Sequence, residues 1–533
     1  NSPNSDNSNN TANTGSSNST SDSPNSDNSN NTANTGSSNT NTNTENTSQT
    51  DKGNTNTDTV NPLPSTEVNQ ESVAKKQEEE QNLGVSPNQN GLKNDQIYQI
   101  ETAFTKEFDD YFQRSLKTTI HSQEDVQHQT SEIEKITGIK TAVIYVNFTP
   151  TSTKVSETKC QTKLPSPQID RRFGYQIPAP SQGSCATVDS DELEIVMITG
   201  DGETIRRRIP EANRAKVLAK TREFQQAINN PQTIPANYLK SSQQLYQWLI
   251  QPLEEDLEAG KIKSLIFAMD TGLRSLPIAA LHDGNEFLIE RYSVSLIPSL
   301  SLISLPYRDI RSQQILAMGS SQFTDQTALP WVPVELAIIL EQFGKGKSFL
   351  NEGFTLHNLQ NQLHQGRFAI VHLATHAEFQ PGNPNNSYIQ LWDRKLRLNE
   401  IQDLELSQRG VDLLVLSACR TALGDPQAEL GFAGSALAAG VDSTLATLWY
   451  ISDRGALGLT TEFYYQLSQA PTKSEALRKA QVAMLHSNLR ITNHQLYSSD
   501  KEVSLPLEVA KLRNINLSHP YYWAGFTLVG NPW

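Results

Sequence analysis

V411-D-L-L-V-L-S-A-C-R-T-A-L-G-D425 is apolar at nearly every position up to Cys419 and then turns polar. Upstream, F368-A-I-V-H-L-A-T-H-A-E-F379 follows the same course up to His376. A run that is apolar throughout, rather than at alternate positions, is the pattern of a strand buried on both faces. The two stretches predict two such strands, each spilling into a loop beside a chemically active side chain. Working outward, S264-L-I-F-A-M269, I315-L-A-M318, S443-T-L-A-T-L-W449 and W523-A-G-F-T-L-V529 read as further buried strands. Residues 334–343, 356–363 and 428–439 read as helices between them, and T472-K-S-E475 is a capping box opening another that runs to about His486. Buried strands separated by helices imply an α/β fold with a mostly parallel sheet flanked by helices. In open sheets of that kind ligands bind at the carboxyl ends of strands, where His376 and Cys419 are expected.

The N-terminal part is different. Residues 1–59 contain no Val, Ile, Leu, Met, Phe, Tyr or Trp. Such a stretch cannot bury enough apolar surface to offset its ordering entropy. The segment 2–18 recurs as 23–39, yet without the apolar stacking positions of a solenoid. Residues 1–94 are therefore expected to be a disordered, low-complexity tail. In residues 95–136, Ile97, Ile100, Phe104, Phe108, Tyr111, Phe112 and Leu116 recur at helical spacing. A strand over 141–148, two strands around the Gly200-Asp201-Gly202 turn, and helices over 211–229 and 240–258 complete a small α+β region. The stretch 287–297 reads as a hairpin. The expected divisions are a tail (1–94), an N-terminal region (95–239) packed on or part of the main domain, and the main domain (240–533).

Net charge is −14, from 44 basic and 58 acidic residues. Residues 1–97 hold 12 acidic and 4 basic residues, so the remainder is only mildly acidic, with no basic stripe. Nucleic acid is not an expected partner. No run of 18 apolar residues exists, so no spanning helix is expected. The sequence begins with Asn rather than Met, as a fragment or a processed form would, so a targeting segment could lie outside it. Of the three cysteines, Cys160 and Cys185 flank a Pro-rich insert. A disulfide between them beside one free thiol would suit an oxidising, extracytoplasmic compartment. Two unrelated reduced thiols would read identically.

A catalytic cysteine must form a thiolate, which a neighbouring His or a helix N-terminus favours. An imidazole can take the thiol proton and later protonate a leaving amine. The developing oxyanion needs preorganised donors, and the backbone N–H groups of Ala377 and Cys419 are the candidates. Taken alone, Cys419 reads as a buried small hydrophobe and His376 as a polar loop residue. The matching strand exits favour chemistry. His372 lies four residues before His376, a zinc-helix spacing, but the glutamate of H-E-x-x-H is absent and the run is β-like. Neither a metal nor a cofactor is expected. On a strand the two histidines share a face, so His372 is expected to pack beneath the site.

Several ordered blocks resemble the CHAT-domain family, caspase-like cysteine peptidases related to separases. They are D270-T-G-L-R-S-L-P-I-A-A-L-H-D-G284, L296-I-P-S-L300, V371-H-L-A-T-H-A-E-F379, L416-S-A-C-R-T-A-L-G424, L448-W-Y-I-S-D453 and H519-P-Y-Y-W-A-G-F-T-L-V-G530. The resemblance covers about residues 240–533. It implies a caspase-like sheet with His376 and Cys419 as a catalytic dyad, and cleavage of protein or peptide substrates. It also implies that Asp453 lines the pocket for the residue before the cut, favouring Arg or Lys there, with Asp270 as a second candidate. Either aspartate could equally be a helix cap. Two departures matter. Ala377 stands where caspase-like enzymes commonly carry Gly, which restricts the backbone beside the oxyanion. The tetratricopeptide repeats common upstream in the family are absent, so no repeat-sensed partner carries over. The alternative is a catalytically silent interaction module on the same fold.

Overall fold

The central parallel strands are apolar and buried, and they set the architecture. The protein is described by a computed structural model. It describes residues 95–533 apart from 117–118, 151–168, 171–174, 177–187, 203, 304–306, 422, 424 and 507–514. The tail (1–94), Cys160 and Cys185 lie outside the described residues. Those described all fall within the unit Val85–Trp533.

The sheet strands are β1 (Thr141–Thr149), β2 (Glu192–Thr199), β3 (Ile205–Asn213), β4 (Ser264–Met269), β5 (Ser293–Ile297), β6 (Ile315–Gly319), β7 (Gly346–Leu350), β8 (Ile370–Phe379), β9 (Tyr388–Gln390), β10 (Lys395–Arg397), β11 (Leu413–Thr421), β12 (Ser443–Thr447) and β13 (Phe526–Gly530). They form one sheet in the order β10-β9-β8-β11-β12-β13-β5-β4-β1-β2-β3, with β6 on the first half of β8 and β7 beyond β6. Strands β7, β6, β8, β11 and β12 run parallel to one another. Strand β13 is antiparallel to β12 and parallel to β5. Strands β5, β4 and β1 continue in that reversed sense. Two parallel blocks of opposite direction therefore meet at the β12–β13 pair.

Helices cover both faces. They include α1 (Gln96–Phe112), α2 (Gln123–Thr137), α3 (Arg214–Ile228), α4 (Pro235–Leu249), α5 (Val332–Phe343), α6 (Leu356–Gln365), α7 (Pro426–Ala433), α8 (Asp453–Leu467) and α9 (Lys473–Leu485). Strand β1 shows why both faces must be covered. Ala142, Ile144 and Val146 join one apolar core, while Val143 and Tyr145 join a second built with Ile97, Ile100, Phe104, Val126 and Ile133 of α1 and α2. Each fully buried aliphatic side chain contributes about 1.5–3 kcal/mol. The side facing α1 and α2 would otherwise be an open apolar surface.

Three expectations need correction. The stretch 287–297 is no hairpin: Leu288–Arg291 is a helical turn, and β5 then pairs parallel with β4. The Glu290 carboxylate accepts the Phe287 N–H at 2.7 Å, which caps the turn. The expected helix 240–258 begins at Pro235, a residue suited to the first helical position. It stops at Leu249, a 3-10 turn holds Pro252, and the helix resumes at Glu254. The helix expected over 428–439 is two, parted at Gly434.

The N-terminal region is stitched to the rest by a buried carboxylate. Glu101 of α1 accepts the Tyr145 hydroxyl at 2.7 Å, the Leu300 N–H at 3.0 Å, and the Ser301 N–H and hydroxyl at 2.8 and 2.6 Å. Glu101 has no exposed surface, so truncation removes a buried acceptor shared by four donors. Glu101→Ala is expected to lower unfolding free energy by about 3 kcal/mol or more. Urea unfolding measures this, and a loss under about 1 kcal/mol would show that the contact does not anchor α1.

Candidate functional site

Strands β8 and β11 are neighbours in parallel register, and that register brings the two candidate residues together. Ala377 pairs with Cys419, and His376 with Ala418. The spacing between paired strands is about 4.8 Å, so the two backbones are adjacent. The side chains of Cys419, Ala418 and Thr421 lie outside the described residues; the register places the Cys419 backbone one residue past the position opposite His376. Neither strand ends where expected: β8 continues to Phe379 and β11 to Thr421. The reason is the β9–β10 ribbon, which takes the edge of β8 at Ala377 and Glu378. The Ala377 and Cys419 backbones thus sit inside ladders rather than at free strand ends.

His376 is 9% exposed. Its Nε2 lies 2.7 Å from the Thr327 carbonyl oxygen. A carbonyl can only accept, so Nε2 carries a proton, and in the neutral ring Nδ1 holds the lone pair. The ring packs on Phe323, with centroids 4.7 Å apart, and lies near-parallel to Tyr450 at 6.1 Å. Thr327, Phe323 and Tyr450 were not singled out by residue type. A backbone carbonyl leaves no signal in sequence, while Tyr450 lies unremarked inside the L448-W-Y-I-S-D453 block.

Asp453 opens α8, but Ser452 caps that helix by accepting the Gly455 N–H. The Asp453 carboxylate instead accepts the Trp331 N–H at 3.1 Å, at the start of α5. That contact joins α8 to the segment that carries Thr327. Burial pushes the Asp453 carboxyl up to about 6, the Trp331 N–H opposes this, and the Glu335 charge adds to it. Burial and the Asp453 charge in turn raise the Tyr450 hydroxyl. His376, Tyr450 and Asp453 therefore form one cluster.

Asp270 stands elsewhere. It follows β4, which β5, β13 and β12 separate from β11 and which runs in the opposite direction. It is buried, and its oxygens accept the Thr271 N–H at 2.6 Å and the Phe148 N–H at 3.2 Å. Burial raises its carboxyl, and the Glu107 charge adds to that. Here the aspartate caps backbone.

The helix after Cys419, α7, starts at Pro426, and its N-terminus is already occupied: Asp425 accepts the Gln427 and Ala428 N–H groups, each at 3.0 Å. Its positive end is thus shared with a carboxylate. Beside the cluster lies a cleft of about 620 Å³ whose walls include Glu378, Phe379, Arg420, Trp449 and Tyr450. Among the described residues no group of three or more His, Cys, Asp and Glu side chains is placed to hold a metal. No described helix is long and apolar enough to cross a membrane.

Known proteins were compared with this chain. No curated protein matches it. Among solved structures, the Arg-specific cysteine proteinase gingipain R is similar at 11% identity over 56% of this chain and 68% of that one, with a TM-score of 0.34. The Saccharomyces cerevisiae separase–securin complex is similar at 10% identity and a TM-score of 0.37, over 77% of this chain. The chain spans about a third, 31%, of that separase chain. The complex of Porphyromonas gingivalis RgpB pro- and mature domains is similar at 11% identity over 60% of this chain and 76% of that one, with a TM-score of 0.33. The CHAT domain matches residues 239–531, more than half of the sequence and both strands of the site. The chain belongs to the CHAT domain family.

Proposed function

We propose that the chain is a cysteine endopeptidase in which His376 and Cys419 form the dyad. One observation supports the reading: adjacent parallel strands bring the His376 and Cys419 backbones within one residue of register, and the Thr327 carbonyl, 2.7 Å from His376 Nε2, leaves Nδ1 of the neutral ring to act as the base. His376 Nδ1 takes the Cys419 proton, and the thiolate attacks the scissile carbonyl. The tetrahedral oxyanion is received by the Cys419 and Ala377 N–H groups. His376 then gives its proton to the leaving amine. Water, losing a proton to His376, opens the thioester, and the proton returns to the thiol as the acid leaves. Membership of the CHAT domain family supports the peptidase reading, and the cleft of about 620 Å³ beside Tyr450 is large enough for a peptide segment.

Ala377 and Cys419 are register partners in this structure, within a ladder that continues to Phe379 and Thr421. The same continued ladder is the feature that favours the alternative, a silent module that binds a protein partner without cutting it.

Three outcomes are expected. Mass spectrometry of a peptide library should find cuts made by the wild type and none by Cys419→Ala, a loss of roughly a thousandfold or more. Identical patterns from the two proteins would assign any cutting to something other than Cys419.

Second, cuts should follow Arg or Lys, because the Asp453 carboxylate attracts a cation once ionised. That preference is present above pH about 6 and fades as pH falls through that value. Asp453→Asn should lose it at every pH. Equal kcat/KM for Arg and Ala peptides in the wild type at pH 8 would refute the basic pocket.

Third, the raised Asp453 carboxyl means that the fold prefers its neutral form. Its contribution to stability is complete at low pH and is lost as pH rises from its ordinary value near 3.8 through about 6. Urea unfolding should show Asp453→Asn gaining on the wild type across that window. A constant difference between the two proteins would contradict the raised value.

A further inference from the structure

Beneath His376 the sheet buries a carboxylate that the proposed chemistry does not use. Glu335, in the first turn of α5, is 2% exposed. Its Oε1 accepts the Thr460 hydroxyl of α8 at 3.0 Å and lies 3.2 Å from His372 Nε2 of β8. Its Oε2 lies 3.5 Å from the Ser417 hydroxyl of β11. The contact with His372 is close but poorly directed as a hydrogen bond. The other ring nitrogen of His372, Nδ1, is 3.1 Å from the Tyr464 hydroxyl, which burial and the Glu335 charge hold well above its ordinary value. Burying a carboxylate costs several kcal/mol, and an apolar core of equal volume is often more stable. A carboxylate that joins α5, α8, β8 and β11 fixes geometry.

What it fixes is visible in the ladder. Leu373 pairs with Leu416 and His376 with Ala418, so Ala374 and Thr375 together face Ser417 alone. This is a β-bulge, a device that re-aims side chains beside active sites. An unbroken ladder continuing from Leu373 and Leu416 would set His376 opposite Cys419 itself. Ser417, the residue facing the bulge, is the one that meets Glu335. His372, which also meets Glu335, pairs with Val415 just before the bulge. Glu335 also anchors α5, and four residues before that helix's Trp331 cap stands Thr327, whose carbonyl orients His376.

We propose that Glu335 is a positioning residue of the His376–Cys419 site. Through Ser417 it pins the bulge that offsets the two strands, through His372 it holds β8 just ahead of that bulge, and through α5 it aims the Thr327 carbonyl at His376. The proposal rests on the peptidase reading of the dyad, and its test separates the two.

The probe is Glu335→Gln in the full chain, with two readouts. The first is the ¹⁵N signal of the His376 imidazole, which needs no activity. The wild type should show the Nε2–H tautomer and Glu335→Gln a mixture of tautomers, with Glu335→Asp restoring most of the wild-type signal. The second is alkylation of Cys419 by a peptidyl-arginine chloromethyl ketone, expected to slow at least tenfold in Glu335→Gln. If the wild type is never alkylated at Cys419, the peptidase reading fails, and the imidazole signal still judges the positioning role. An unchanged His376 signal in folded Glu335→Gln overturns the proposal. Should Glu335→Gln fail to fold, Ser417→Ala removes one arm: a smaller shift of the same sign supports the proposal, and no shift overturns it.

Discussion

The ladder between β8 and β11 is the constraint on which the rest depends. Parallel strands buried on both faces must be apolar along their length, which is why both runs carry so few polar side chains before the site. Their shared direction brings the ends that bear His376 and Cys419 to the same end of the sheet. The bulge at Ser417 then decides that Ala377, not His376, is the residue level with Cys419. Around the site stand the loop that supplies Thr327, the Tyr450 ring, and the Asp453 carboxylate that ties α8 to the start of α5.

The second half of the sheet is as much a part of the site's support as the first. Strands β1 to β5 continue the same sheet beyond β13, and contacts from that half reach the segment after Cys419. Glu429 of α7 accepts the Gly272 N–H at 2.8 Å and the Ser275 hydroxyl at 2.5 Å. Arg274, between them, pairs with Glu107 of α1 and lies over the Phe104 and Phe108 rings. The D270-T-G-L-R-S-L-P block is therefore a bracket between α1 and α7. In this arrangement residues 95–239 and the segment that follows share one sheet and one core.

Much of this was legible in sequence, for reasons that differ by residue. Unbroken apolar runs identified the buried strands, because burial on two faces leaves no other composition. The Thr472 cap was legible, since a hydroxyl three residues before Glu475 has a fixed partner, the Glu475 N–H at 3.1 Å. The 287–297 stretch misled because its length and β-branched residues suit a hairpin, while a single capped turn at Glu290 redirects it. His372 was expected beneath the site by strand alternation, which the bulge between it and His376 interrupts. Its partner Glu335 could not be read from sequence: the two are joined only by tertiary packing, and a lone glutamate in V332-P-V-E-L-A-I-I-L340 gives no hint of burial. The bulge was invisible for a similar reason, since an extra residue in a ladder shows only once both strands are aligned.

The most direct measurement follows the rate at which Cys419 is alkylated by a peptidyl-arginine chloromethyl ketone, located by peptide mass spectrometry, as pH is varied in the wild type and in His376→Ala. If His376 is the base that activates the thiol, the wild type reacts at Cys419 near neutral pH and His376→Ala does so roughly a hundredfold more slowly. Equal rates in the two proteins, or reaction only at Cys160 and Cys185, would contradict the dyad.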